Sequence, residues 1–245
     1  MSTKARSSTA ARGGRWAVAV AVAAVAVTGL VSGCSVLDSR TDSQSYQVTD
    51  AVKSVNVDDR GGSIEVVATD QSTVTVVETY TYSDGKPRTT HSVRDGELTL
   101  QANGCSSSGF GHVGSKCDVS YRLEVPRATA THLTSDGGSI SLEGLSGTTY
   151  AHTSGGAVDV HDSAATDVTA QTDGGSVDVR LDRTPDQVDA ESGGGSVRIR
   201  VPKGSYAVDL DGSVTGRSVG VTTDPTSTHR IKAHTGGGSV SVEDD

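Results

Sequence analysis

From Ala51 onward, apolar and polar residues alternate in short runs, and the runs recur. After Gly175, Val177, Val179 and Leu181 alternate with Asp178 and Arg180. After Gly195, Val197, Ile199 and Val201 alternate with Arg198 and Arg200. A period of two puts each apolar set on one face of a strand. Ahead of each glycine pair lies a second short run: Val168-Thr169-Ala170, Val188-Asp189-Ala190, Val208-Asp209-Leu210 and Ile231-Lys232-Ala233. The pattern predicts about two strands per repeat. It also places Ala170, Ala190 and Ala233 in one inward column where two sheets approach closely.

The glycines punctuate a repeated phrase. It reads SDGGSISL at 135–142, TSGGAVDV at 153–160, TDGGSVDV at 172–179 and SGGGSVRI at 192–199. A shortened copy, LDGSV, spans 210–214, and HTGGGSVSV spans 234–242. The glycine before each strand falls at Gly138, Gly156, Gly175, Gly195, Gly212 and Gly238, in steps of 18, 19, 20, 17 and 26 residues. One such unit cannot bury its apolar face alone and must stack on a neighbour. The expected fold is all-β: a right-handed parallel β-solenoid with about 17–20 residues per coil and an atypical N-terminal β cap. A glycine at a sharp corner is expected to supply positive φ. A twisted antiparallel sandwich also has short strands and frequent turns, but the aligned glycine columns favour the solenoid.

The first 33 residues lie outside this pattern. Lys4, Arg6, Arg12 and Arg15 precede a charge-free apolar run from Trp16 to Leu30, which ends in Val31-Ser32-Gly33-Cys34. A basic start, a short apolar stretch and small residues before a cut site describe an export signal. The run is short of the ~20 residues of a transmembrane helix. The Val-Ser-Gly-Cys ending resembles a bacterial lipobox, which implies cleavage at 33 and a lipid on Cys34; an ordinary secretory signal ending near a cysteine is the alternative. Residues 34–50 read as a flexible tether, because Ser, Asp, Gln and Thr dominate them. Residues 51–245 read as one solenoid domain. Within it, 51–130 form an irregular half with long β-branched and aromatic runs, and 131–245 form the regular coils.

Charge narrows the partners. Without Met1–Gly33 the chain loses four basic and no acidic residues, leaving 17 Lys plus Arg against 30 Asp plus Glu, a net charge of −13. Nucleic acid and anionic lipid surfaces both require cationic partners. Attachment to a membrane is therefore expected through the lipid on Cys34.

Of three cysteines, Cys105 and Cys117 remain beside Cys34. In an exported chain a Cys105–Cys117 disulfide is the default. Two cysteines this far apart with one His between them match zinc spacing poorly. The segment between them holds Phe110, the chain's single Phe, and His112. Phe110 is a candidate binding tip, since loops on rigid scaffolds carry function and aromatic residues anchor interfaces; the alternative is a plug for the end of the stack.

No nucleophile constellation stands out. There is no Gly-x-Ser-x-Gly elbow with partner acid and His, and Gly193-Gly194-Gly195 leads into a strand rather than a phosphate-loop helix. The Gly-Gly turns lack the Asp that calcium-binding β-rolls place after a third Gly. No cofactor or metal is expected. His152 and His234 align with Gln171, Glu191 and Asp211, and Tyr150 aligns with His132. This face could bind a cation or a sugar, or be a solvated polar surface.

The lipobox, Ser54-Val55-Asn56-Val57-Asp58 with Gly61-Gly62-Ser63-Ile64-Glu65-Val66, then Tyr121–Pro126 and the Ser-Gly-Gly-Ser-Val-Asp-Val type coils resemble the bacterial candidate-adhesin β-strand-repeat family. The resemblance covers about Val52 to Val242. It implies a parallel β-solenoid, offers no catalytic residues and suggests surface interaction. The expected function is a non-catalytic, lipid-anchored envelope protein on the extracytoplasmic face, meeting an envelope protein or glycan. An enzyme acting on envelope glycans and an accessory or sensor subunit of a membrane partner are the alternatives.

Overall fold

The computed structural model describes residues 39–83, 85–105, 116–212 and 215–245. The described N-terminal half comprises β1 (Arg40–Val48), β2 (Ser54–Asp59), β3 (Ile64–Thr69), β4 (Val74–Tyr82), β5 (Arg88–Arg94), β6 (Glu97–Asn103) and β7 (Cys117–Pro126). The repeats form β8 (Ala130–Ser135), β9 (Ile140–Glu143), β10 (Thr149–Thr153), β11 (Val158–Ser163), β12 (Asp167–Thr172), β13 (Val177–Leu181), β14 (Gln187–Ser192) and β15 (Val197–Val201). The chain ends with β16 (Ser205–Asp211), β17 (Gly216–Val219), β18 (Thr222–Thr223), β19 (Arg230–Thr235) and β20 (Ser239–Asp244).

These strands form two sheets of ten, whose inward faces make one core. The first sheet runs β1-β4-β7-β3-β9-β11-β13-β15-β20-β17 and the second β18-β16-β19-β14-β12-β10-β8-β2-β6-β5. The central coils pair in parallel and in register: Val158 on Val177, Val177 on Val197, and Ala170 on Ala190 on Ala233. Alternation places Val177, Val179, Val197 and Ile199 in the core at 0–1% exposure. The first sheet thus contributes branched aliphatics to the core, and the second contributes Val168, Val188 and Ile231 together with the alanine column.

The N-terminal end departs from this scheme. β1 pairs antiparallel with β4, β4 antiparallel with β7, and β5 antiparallel with β6. The expected tether is corrected here: Arg40–Val48 is a strand of the first sheet, and its Tyr46 and Val48 are buried. Two inward side chains at the end of a polar stretch, plus nine paired backbone positions, suffice to order it.

Among the corner glycines, Gly212 has the expected positive φ, at 106°. Gly62, Gly138, Gly156, Gly175, Gly195 and Gly238 do not. They are required because the coils touch there: a Cβ on Gly175 would lie 2.1 Å from the Gly156 carbonyl oxygen, and one on Gly195 2.1 Å from that of Gly175. Side chains cannot fit at such separations, whatever their rotamer.

Beside this glycine column runs a ladder of buried hydroxyls. Thr153 Oγ1 donates to Gly138 O at 2.7 Å, Thr172 Oγ1 to Gly156 O at 2.7 Å and Ser192 Oγ to Gly175 O at 2.6 Å. Each hydroxyl also accepts the amide of its own corner glycine, as Thr172 does from Gly175 N at 3.0 Å. Ser135 and Thr235 repeat the arrangement. One hydroxyl thereby satisfies a carbonyl and an amide that the corner would otherwise leave unpaired.

Coil order also differs from chain order at both ends. Gly238 stacks directly on Gly195, because β19 and β20 enter between β14–β15 and β16–β17. Likewise β2 and β3 lie between β8–β9 and β6–β7.

Candidate functional site

The C-terminal exchange of order shapes the surface. Leaving β18, the chain must pass the start of β16 to reach β19. Asp224–His229 makes this crossing and is tied down by Asp224 N to Tyr206 O at 2.8 Å, Ser227 Oγ to Ser205 O at 2.8 Å and Ala207 N to His229 O at 2.8 Å. Beside the crossing lies a recess of about 510 Å³ on the second sheet, lined by Gln187, Asp189, Ala207, Asp209, Arg230 and Lys232, with Thr223 and Pro225 at its rim. The intervening Val188 and Ile231 turn their side chains into the core.

Its electrostatics follow from the register. On β19, Arg230 sits between Gln187 and Ala207, Lys232 between Asp189 and Asp209, and His234 between Glu191 and Asp211. A strand of three basic residues thus lies between two acidic strands. Lys232 Nζ is 3.5 Å from Asp189 Oδ2, whereas Asp189 Oδ1 is buried without a partner. Arg230 makes no ion pair among the described residues.

Elsewhere on this face the expected columns are present. His152 lies beside Gln171, and His132 stacks on Tyr150 with ring centroids 4.3 Å apart. Stacking along the coil axis covers one face of each ring. Among the described residues no group of three or more His, Cys, Asp or Glu is arranged to hold a metal ion.

A family model described as Toastrack DUF4097 matches residues 118–243, just over half of the chain. The chain belongs to the Toastrack DUF4097 family. Among solved structures, a candidate cell adhesion protein from Clostridium sporogenes is 14% identical at a TM-score of 0.46, over 84% of this chain and 100% of its own. A candidate adhesin from Bacteroides fragilis is 16% identical at 0.44, over 84% and 97%. A candidate lipid-binding protein from Parabacteroides distasonis is 14% identical at 0.29, over 82% and 96%. A comparison with curated proteins returned no match.

The opposite end of this Toastrack chain holds its other concentration of polar chemistry. Cys105 and Cys117 form a disulfide with Cα atoms 5.8 Å apart. Cys34, Phe110 and His112 lie outside the described residues. The described closure of this end is built around Glu78, which is fully buried on β4. Its carboxylate accepts from Tyr46 Oη at 2.7 Å, Thr89 Oγ1 at 2.7 Å, Gln44 Nε2 at 3.0 Å and Tyr80 Oη. Burial, together with the Glu78 charge, drives the Tyr46, Tyr80 and Tyr121 hydroxyls well above the usual phenol range. Three of these donors converge on Oε2 and one on Oε1, so the carboxylate ties β1, β4 and the Thr89 strand together where the core closes. Asp59 occupies the ladder position paired with Ser135. Its burial pushes the carboxyl up to about 6, even though Gly61 N donates to Oδ2 at 3.2 Å.

The recess was not legible as a site in the sequence. Its lining comes from four strands that meet only because β19 enters out of order. The one available signal was the 26-residue step before Gly238.

Proposed function

We propose that this Toastrack chain is a non-catalytic, lipid-anchored protein of the extracytoplasmic envelope, whose solenoid holds a binding surface away from the membrane. The observation that carries the reading is the direction of the stack. Cys34 lies six residues before Arg40, and β1 is the end strand of its sheet. The recess lies towards the other end, on the second sheet at β19, whose successor β20 is eight strand steps from β1 in the first sheet. At ~4.8 Å per strand the separation is roughly 40 Å. An anchor at one end and a charged recess at the other make a stand-off for surface interaction.

The Cys105–Cys117 disulfide supports an oxidising location, in keeping with the export signal read at residues 1–33. The acidic surface supports attachment through lipid rather than through direct contact with anionic headgroups. Replacing Cys34 by Ala tests the anchor. The variant is expected to leave the membrane fraction while keeping the disulfide. A processed, mature-length variant still in the membrane fraction overturns the reading.

A further inference from the structure

The geometry points to the recess on the second sheet as a binding site for a carboxylated glycan strand, with Arg230 receiving the sugar carboxylate. This assignment deepens the surface-interaction reading above and rests on it.

Three observations carry it. The first is the division of labour among the cations of β19. Lys232 is held between two aspartates and paired to Asp189 at 3.5 Å. Arg230 is exposed, has uncharged Gln187 and Ala207 as its neighbours and makes no ion pair among the described residues. Guanidinium binds carboxylate through two parallel hydrogen bonds, so an uncompensated Arg at a recess is a specific carboxylate receptor.

The second is the remainder of the lining. Asp189 and Asp209 are acceptors that suit hydroxyl donors, and Gln187 and Thr223 can both donate and accept. Ala207 and Pro225 supply apolar surface for the C–H faces of a ring. A ligand matching this set carries many hydroxyls and isolated negative charges. The two aspartates repel a densely charged polyphosphate. At about 510 Å³ the recess falls within the range that takes a small-molecule-sized segment.

The third is that the strand carrying Arg230 has no free edge. β19 pairs along its length with β14 on one side and β16 on the other, and the open edge of the sheet lies beyond it, along Ala207–Asp211 of β16. A peptide therefore cannot add as an extra strand beside Arg230, which is how extended peptides gain main-chain hydrogen bonds. Recognition has to run through side chains, as it does for sugars.

The test is calorimetric titration of the full chain with a panel of oligo-uronates, their carboxyl-reduced counterparts and carboxylate-bearing peptides. At least one oligo-uronate is expected to bind, with its reduced form at least about tenfold weaker, the loss expected when a bidentate carboxylate partner is removed. Arg230→Gln is expected to weaken binding by a similar factor at an unchanged melting temperature. Ala207→Leu, which fills the floor, is expected to do the same. The proposal is overturned if no oligo-uronate binds, if reduction or Arg230→Gln makes no difference, or if the peptides bind in their place. Fractionation of Cys34→Ala, run in parallel, separates the two readings. Loss of the anchor without glycan binding removes the ligand assignment alone. Glycan binding that depends on Arg230, with an anchor that survives Cys34→Ala, removes the anchor alone.

Discussion

Between β8 and β15 the chain climbs one rung per coil, whereas at the C-terminal end it passes over a rung and later fills it, and at the N-terminal end it passes from β6–β7 to β8–β9 over a rung that β2–β3 already fill. The inward columns are alike from β8 to β15 and in β19–β20, but the outermost coil departs from them, with Leu210 beside Ala233 and Arg217 beside Val240. Val177, Val197 and Val240 occupy one column, and Ala170, Ala190 and Ala233 another. Any coil with Val, Ala and a corner glycine fits on any other. The outward row differs as well. Stacked in chain order, β16 would set Asp209 and Asp211 on the strand that carries Asp189 and Glu191. Like charges directly opposite are unfavourable in a sheet. With β19 between them, Lys232 and His234 lie beside both acidic rows. The core thus specifies that coils stack, and the surface charges contribute to which coil meets which.

The largest expected effect comes from the contact shared by all the regular coils. Gly175→Ala puts a methyl 2.1 Å from a neighbouring backbone oxygen, which cannot move without opening the stack. Its cost is expected at about 3 kcal/mol or more, in line with overpacked interiors. Gly194→Ala, one residue before the tight column, places its Cβ 3.6 Å from the Gly174 oxygen. It is expected to stay within about 0.5 kcal/mol. Chemical denaturation of the two variants checks the comparison, and equal stability contradicts close coil contact as the reason for these glycines.

The hydroxyl ladder and its exceptional rung give the second comparison. Asp59 stands in line with Ser135, Thr153, Thr172, Ser192 and Thr235, but its Oδ1 is buried and unpartnered. Its folded-state value, about 6, lies above the ordinary carboxyl value. The folded state therefore holds the proton more tightly. The stability from that proton is fully present below about pH 4 and is lost as pH rises through about 6, by up to about 3 kcal/mol. Asp59→Asn keeps an acceptor for Gly61 N and is expected to flatten the pH dependence between about 4 and 7. Melting curves across that range check it, and an unchanged slope assigns the pH response to other groups.

Thr172 is the ordinary rung. Thr172→Val keeps the shape and removes both hydrogen bonds, leaving Gly156 O and Gly175 N unpaired. The expected loss is about 1–3 kcal/mol, whereas Thr172→Ser is expected to retain most of the stability. Equal losses for Val and Ser would mean that the methyl group, rather than the hydroxyl, matters here.

These differences also explain what the sequence could convey. The columns were legible because a period of two leaves little choice over which side of Val177 or Val179 faces inward. The disulfide was legible from cysteine arithmetic. The order of the end coils was not, because the repeat spacing carries no address, although Leu210 in the alanine column and Arg217 in the valine column set β16–β17 apart from the other coils. β1 was missed because Arg40–Val48 has only Tyr46 and Val48 as strongly core-directed side chains, and pairing with β4 supplies the rest. The positive φ expected of the corner glycines holds at Gly212, whereas the others are there for close approach, and the two requirements select the same residue. The recess followed the coil order into obscurity, since Gln187, Ala207 and Arg230 are distant in sequence and adjacent only after β19 enters.

The smallest effect tests the proposed basis of that order. Lys232→Glu makes the middle outward row acidic on three successive strands, because the new carboxylate would stand between Asp189 and Asp209. Exposed pairs are worth little, so the expected loss is about 1 kcal/mol at low salt. It should shrink towards zero as ionic strength rises and screening shortens to ~3 Å at about 1 M. Restoring alternation from the other side, with Asp189→Lys added to Lys232→Glu, is expected to recover most of the loss. A cycle of the parent, the two single variants and the double variant, each melted at low and high salt, isolates the pairwise part. Recovery that vanishes at high salt supports charge as a determinant of coil order. A loss that is independent of salt and unrescued by Asp189→Lys places the determinant elsewhere, in the Asp224–His229 crossing that carries the chain over β16.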